Sequence, residues 1–258
     1  MKVLKEIWEY RSMIRSLVHK DLRGRYQASV LGFLWTFIVP LCQLGIYTVV
    51  FSVIMRSNVE KFYLYLFVAL IPWNFFSACL TGGASCIIQQ QSLVNKIYFP
   101  REVIPISFVT GCFVNMLYCE IVVFAVCLFS GVHFSLLGLL CLPLVMLVEY
   151  MFALGITMTV CAVDVYFRDL EHILGVVSMA WMFLTPIMYD LSIVPERIRS
   201  VFSLNPMTAI ITAYRDIMYY GSVPKLGTLA AAGGVGLVFL VVGFLVFGRL
   251  KRRFSEVM

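Results

Sequence analysis

Runs of twenty or more residues almost free of charged side chains recur along this chain, and they decide what it can fold into. A helix needs roughly 20 apolar residues to cross about 30 Å of hydrocarbon. Only 13% of the residues are charged, against about 25% in a soluble domain, and 61% are hydrophobic. The chain therefore reads as an all-α integral membrane protein. Six transmembrane helices are expected, at about 31–55, 62–86, 108–130, 134–163, 174–190 and 227–248. The fourth is long enough to tilt or to project into water.

Charge placement orients the spans. Lys2, Lys5, Arg11, Arg15, Lys20, Arg23 and Arg25 crowd the first 25 residues. A secretory signal would follow a short basic region at once with an apolar run. Here that run begins only near Leu31, so no cleavage is expected. With six crossings, one side holds the N-terminal segment, the 87–107 and 164–173 loops and the tail, together fourteen Lys and Arg. The other side holds six. The positive-inside rule assigns both termini to the cytoplasm. A basic arm beside a span is read by anionic lipid or by the insertion machinery, not by nucleic acid.

The ends of the spans carry their own signals. Leu4, Ile7, Trp8, Arg11, Ile14, Arg15, Leu17 and Val18 recur at helical steps, which predicts an amphipathic interface helix within 1–30. In 191–226, Pro195 opens one short helix and Asn205-Pro206 opens another, which runs through Met207, Ile210, Ile211 and Tyr214 and stops at Gly221. Neither is long enough to cross. The pattern predicts a short re-entrant helix pair before the last span, a candidate outer gate of Pro195, Asn205, Pro206 and Tyr214, or else a hairpin flat on the surface. The chain thus divides into 1–30, spans one to five over 31–190, the helix pair over 191–226, and span six with its tail over 227–258, all in one membrane domain.

The polar stretch QQQSLVNKIYFPREVIP, 89–105, sits between two apolar runs. Gln89 to Ile97 can form a short helix that Phe99-Pro100 ends, because the residue before a proline disfavours the helical region. It is either an ordinary connection or a rigid peg.

Several chemistries find no support. The eight cysteines lie in apolar runs with no C-x-x-C spacing and read as small hydrophobes. The histidines are scattered, so no metal site is expected, and no P-loop occurs. No constellation for a membrane enzyme is present. Two acids, Glu120 and Glu149, fall within spans, where a carboxylate is costly. They fit either structural acids meeting Asn115, Tyr118 or Tyr150, or the proton carriers of a secondary transporter; the structural reading is preferred. Phe33, Phe37, Pro40, Leu44, Tyr47 and Phe51 share one face of span one. Such a stripe either packs against helices or lines a channel.

KDLRGRYQASVLGFLWTFIVP at 20–40, VNKIYFPREVIPIS at 94–107, DVYFRDLEHIL at 164–174, TPIMY at 185–189 and LNP at 204–206 follow one another over nearly the whole chain. In this order they resemble the permeases of ATP-binding-cassette (ABC) type-2 exporters, and within them the bacterial O-antigen, teichoic acid and capsule exporters. The resemblance implies a homodimeric twelve-helix channel in the bacterial cytoplasmic (inner) membrane. Two separate ATPase subunits would carry the ATP and Mg, with no cofactor on this chain and a lipid-linked polysaccharide as cargo. It implies that a cytoplasmic helix between spans two and three docks on the ATPase, which makes Ser92, Val94, Asn95, Lys96, Tyr98, Phe99, Arg101 and Glu102 coupling candidates. The 164–174 loop is a second contact or a support, anchored by Phe167. The resemblance also puts spans one and five at the channel, so Phe33, Phe37, Tyr47, Phe51, Trp181 and Phe183 become lining candidates. Arg23 and Arg25 could hold the pyrophosphate of the cargo or merely set topology. Some relatives export drugs or lipids, and that alternative stays open.

Overall fold

The structure, a computed structural model, describes residues 2–24, 31–50 and 59–254. All regular secondary structure among them is helical. Helices α1 (Lys2–Glu9) and α2 (Arg11–Gly24) are separated at Tyr10, so the single amphipathic helix expected from the sequence is two. A 3-10 turn leads into α3 (Trp35–Thr48). Then follow α4 (Phe62–Ala84), α5 (Cys86–Gln89), α6 (Gln91–Lys96), α7 (Val103–Phe129), α8 (Leu136–Asp164), α9 (Leu170–Phe183), α10 (Glu196–Leu204), α11 (Pro206–Met218) and α12 (Leu226–Leu250).

Four of these, α4, α7, α8 and α12, are long and apolar enough to cross a membrane. Their bounds fall close to the expected second, third, fourth and sixth spans. The third starts sooner, at Val103, because Phe99-Pro100 ends the preceding helix early and Glu102 already has helical backbone. The apolar helix Leu170–Phe183 is shorter than the expected fifth span, and the described part of the expected first span holds the apolar helix Gly32–Thr48. At 1.5 Å per residue, the 14 residues of α9 reach about 21 Å. It stops at Phe183 because Pro186 has no N–H for the Met182 carbonyl and disfavours helical backbone at Thr185. Side chains then meet the carbonyls beyond, Asn205 donating to that of Leu184 at 3.2 Å and Arg215 to those of Pro186 and Ile187.

Helix α4 is the axis of the bundle, with most of its length buried and α3, α7, α8, α9 and α11 packed around it. Pairings along its length give the directions of its neighbours. Phe75 meets Phe113 and Gly82 lies under Phe108, so α7 runs antiparallel to α4. Phe76 stacks on Phe152 and the Thr157 hydroxyl donates to the Cys79 carbonyl at 3.0 Å, so α8 runs parallel to it.

Helices α8 and α12 make the closest approach. A Cβ on Gly155 would collide with the backbone of Phe239 and Leu240, and one on Gly243 with the Gly155 carbonyl. One on Gly236 would touch the Val148 carbonyl at 3.4 Å. Residues seven apart on α8 thus meet residues seven apart on α12, and the two helices run parallel. Small residues are what allow membrane helices to pack this closely, since lipid supplies no hydrophobic drive between them.

Pro40 has no N–H, so it leaves the Thr36 carbonyl without its helical donor. The Cys119 thiol of α7 meets that carbonyl at 3.4 Å. Six of the eight cysteines are buried among the helices, while Cys42 is exposed and Cys141 half-buried.

Candidate functional site

Polar side chains gather at the two ends of the bundle. The end that carries α5 and α6 also receives α2 and the last turn of α12. Lys20 of α2 donates to Gln90 at 3.4 Å, where the chain breaks between α5 and α6. The expected short helix is therefore present in two pieces.

Helix α6 and the segment after it divide their side chains between the core and the open. Val94 and Phe99 are buried in the core. Ser92 and Lys96 are exposed, Ile97 is 56% exposed, and Tyr98 is 97% exposed. Asn95 lies within α6. Glu102, which the resemblance groups with the coupling candidates, is buried and pairs with the Lys251 ammonium. Arg101 donates to the Lys251 carbonyl and sits 5.7 Å from the Phe254 ring centroid. Tyr166 of the 164–174 loop donates to the Leu250 carbonyl at 2.9 Å. Val94, Phe99, Arg101 and Glu102 are thus anchors, while Ile97 and Tyr98 form an apolar prow that the bundle leaves in the open. A cleft of about 490 Å³ lies beside it, lined among others by Glu9, Tyr10, Tyr98, Arg101 and Arg252.

Arg23 is exposed on α2, on one open face with Arg15, His19 and Lys20. Arg25 lies outside the described residues.

At the opposite end, α11 folds back against α4, α8 and α12, and α10 packs on α11. Pro195 opens α10 and Asn205 caps α11, as the sequence implies. Asn205 uses both ends of its amide. Its Oδ1 accepts from the Met207 N–H at 3.1 Å and from Trp181 Nε1 at 3.0 Å, and its Nδ2 donates to the Leu184 carbonyl and to the Thr185 hydroxyl at 2.9 Å. One side chain therefore caps α11 and ties it to the end of α9.

Arg215 is the residue that sequence reasoning missed. Counted there only as a loop cation, it is buried at 4% exposure. Its guanidinium donates to the carbonyls of Tyr65, Pro186 and Ile187 and lies 3.5 Å from the Tyr65 ring centroid. It clasps α4, α11 and the 185–190 turn together. Next to it, Tyr219 donates to the Glu60 carbonyl. Burial raises the Tyr219 hydroxyl above its ordinary value, which keeps it a donor. Gly221 takes the left-handed conformation (φ 63°), and a Cβ there would strike the His133 carbonyl.

The two membrane acids do not meet the partners expected for them. Glu149 accepts from Tyr214 of α11 at 2.8 Å. Tyr150 bonds instead to Thr110 at 2.9 Å. Neither oxygen of Glu120 meets a hydrogen-bond partner among the described residues. Tyr214, one of the outer-gate candidates, is fully buried and braces Glu149.

The aromatic candidates are dispersed. Phe33 is half-exposed and packs edge-on against Phe37 and Tyr118. Tyr47 accepts a 3.4 Å contact from Gln43, which in turn accepts from Asn74 of α4. Trp181 packs edge-on against Phe76 and Phe152, and Phe183 is 61% exposed. Phe51 lies outside the described residues.

Residues 13–219 match the family model described as ABC-2 type transporter. The chain belongs to that family. Among curated relatives, the O-antigen export system permease protein RfbA of Myxococcus xanthus is 34% identical, over 99% of both chains. A protein of the same name from Klebsiella pneumoniae is 31% identical, over 94% of this chain and 93% of its own. The polysialic acid transport protein KpsM of Escherichia coli is 22% identical, over 91% of this chain and 92% of its own. As an ABC-2 family member with several apolar helices, the chain is a multi-pass membrane protein, and the matched region takes in both of its polar ends.

Proposed function

We propose that this chain is the permease subunit of an ABC exporter that moves a lipid-linked polysaccharide of O-antigen type out across the bacterial cytoplasmic membrane. The observation that carries this reading is end-to-end similarity, 34% over 99% of both chains, to an O-antigen export permease. Two copies form the conduit, and two ATPase subunits supply ATP and Mg. Ile97 and Tyr98, with Ser92, Asn95 and Lys96 beside them, form the contact to the ATPase. Val94, Phe99, Arg101 and Glu102 make that contact stiff by tying it to α12.

The chain crosses six times with both termini in the cytoplasm. Two features support this. First, α8 and α12 run parallel with α9 between them, which requires an odd number of crossings in the intervening chain; α9 supplies one. Second, α2 and the last turn of α12 sit at the same end as α6, the end with most of the Lys and Arg. At about 20 Å, the 13 residues of α11 are too short to span. So α10 and α11 dip in and return at the outer side, with Pro195, Asn205, Pro206 and Tyr214 shaping the exit. Phe33, Phe37, Tyr47, Phe51, Trp181 and Phe183 line the conduit, and Arg23 and Arg25 meet the cargo's phosphates. The engagement of Glu149 by Tyr214 favours structural acids over proton carriers.

The test is genetic. Deleting the gene should abolish surface glycan while lipid-linked polymer accumulates inside, and a plasmid copy should restore display. Unchanged surface glycan in the deletion strain refutes the proposal.

A further inference from the structure

The uncovered faces of most long helices are greasy. On α12 they carry Leu237, Val238, Val241, Val242 and Leu245, and on α8 Leu136, Leu137, Leu140, Leu144 and Leu147. Helix α4 differs. Between Trp73 and Gly83 its incompletely buried residues are Asn74, Ser77, Ala78, Thr81 and Gly82, at steps of three, one, three and one. They form a single helix face. Lipid would select Leu, Val or Phe on such a face, because an amide or hydroxyl in hydrocarbon forfeits its hydrogen bonds to water.

The neighbours extend this polarity. Asn74 donates to Gln43 of α3 at 3.2 Å, and Ser77 meets Ser178 of α9 at 2.7 Å. A cavity of about 70 Å³ lies at the Asn74 end, lined by Asn74 and Ala78 of α4, Pro40 of α3 and Asn115 of α7, among others. That is room for about two waters at roughly 30 Å³ each. The face thus runs in the groove between α3 and α9, which carry the rings of Phe37, Tyr47, Trp181 and Phe183.

We propose that the Asn74–Ser77–Thr81 face of α4, with Gln43 beside it, is a wet floor of the conduit that meets the hydroxyl groups of the passing glycan. This rests on the reading of the chain as a polysaccharide permease. Sugar rings present apolar C–H faces and polar rims. Aromatic rings on α3 and α9 suit the faces, and the amide and hydroxyl groups between them suit the rims. Each such contact is weak and repeated, which conduction requires.

The test is thiol accessibility in whole membranes. Thr81→Cys and Ala78→Cys are made in a Cys42→Ser parent, which removes the exposed native thiol. They are exposed to the charged reagent methanethiosulfonate ethylsulfonate, with Val238→Cys as the lipid-facing control. The reagent needs water and a thiolate, which hydrocarbon withholds. The α4 positions should label at least about tenfold faster than the control, the factor corresponding to one pK unit of thiolate suppression. Labelling should also slow in cells that make the glycan relative to a strain blocked in its synthesis. Labelling no faster than at Val238→Cys overturns the proposal, as does fast labelling that the glycan leaves unchanged. Neither result bears on the permease reading itself, which fails only if surface glycan survives deletion of the gene.

Discussion

Replacing Arg215 by methionine should loosen the whole α11 end. The side chain keeps similar length and loses its donors. Two carbonyls, those of Pro186 and Ile187, are left without their partner in a buried site, while that of Tyr65, inside α4, keeps its helical donor. An unmet buried acceptor costs about 1–3 kcal/mol. Removing the guanidinium also relieves its desolvation, several kcal/mol for a buried ion, so the low end of that range applies. The net loss is then roughly 3 kcal/mol, at about 1 kcal/mol for each of the two carbonyls and about 1 kcal/mol for the lost contact with the Tyr65 ring. A chain of about this size shifts its melting point by about 2–4 °C per kcal/mol, which gives about 6–12 °C. The assay is heating of detergent-solubilised protein, with the folded fraction read by size-exclusion chromatography. Arg215→Lys should recover only part of the loss, because one ammonium lacks the planar fork that spans three carbonyls. A methionine variant within about 2 °C of the parent, or a lysine variant as stable as the parent, would refute the clasp.

Three further outcomes follow from the packing. Gly155→Leu sets a side chain into the backbone of Phe239 and Leu240, so α8 and α12 must separate, and the folded yield in membranes should collapse; normal yield contradicts the parallel contact. Asn205→Ala removes a helix cap worth about 1 kcal/mol together with the bonds to Trp181, Leu184 and Thr185. Its melting point should fall by about 4–8 °C, and Asn205→Asp, which keeps the acceptor, should fall less. Phe99→Ala empties a buried site and should cost about 3–5 kcal/mol in the same assay.

Much of this was legible in the chain. Length and hydropathy placed α4, α8 and α12 nearly to the residue, because a membrane span is a property of one segment. Pro195 and Asn205-Pro206 marked helix starts for the same local reason. What stayed hidden depends on elements far apart in sequence. Tyr214 and Glu149 are 65 residues apart, and only the return of α11 against α8 joins them. Arg215 counts as a loop charge until the 185–190 turn wraps it. Glu102 looks like a surface acid of the polar stretch until Lys251 arrives from the far end of the chain. Gly155 and Gly243 are ordinary small residues in apolar runs until two helices meet there. The polar face of α4 was written in the spacing of Asn74, Ser77 and Thr81, but only burial of the rest of that helix makes it visible.

The central claim is that force enters this chain from an ATPase through the exposed prow after α6. Ile97 and Tyr98 are open to solvent, so Ile97→Asp/Tyr98→Asp should leave melting within about 2 °C of the parent. The decisive measurement is recovery of the ATPase subunit with the tagged double variant from membranes, alongside surface glycan in the same cells. The account predicts that both fall at least tenfold, as for a loss of about 1.4 kcal/mol or more in binding. Full recovery of the ATPase with normal surface glycan would contradict it.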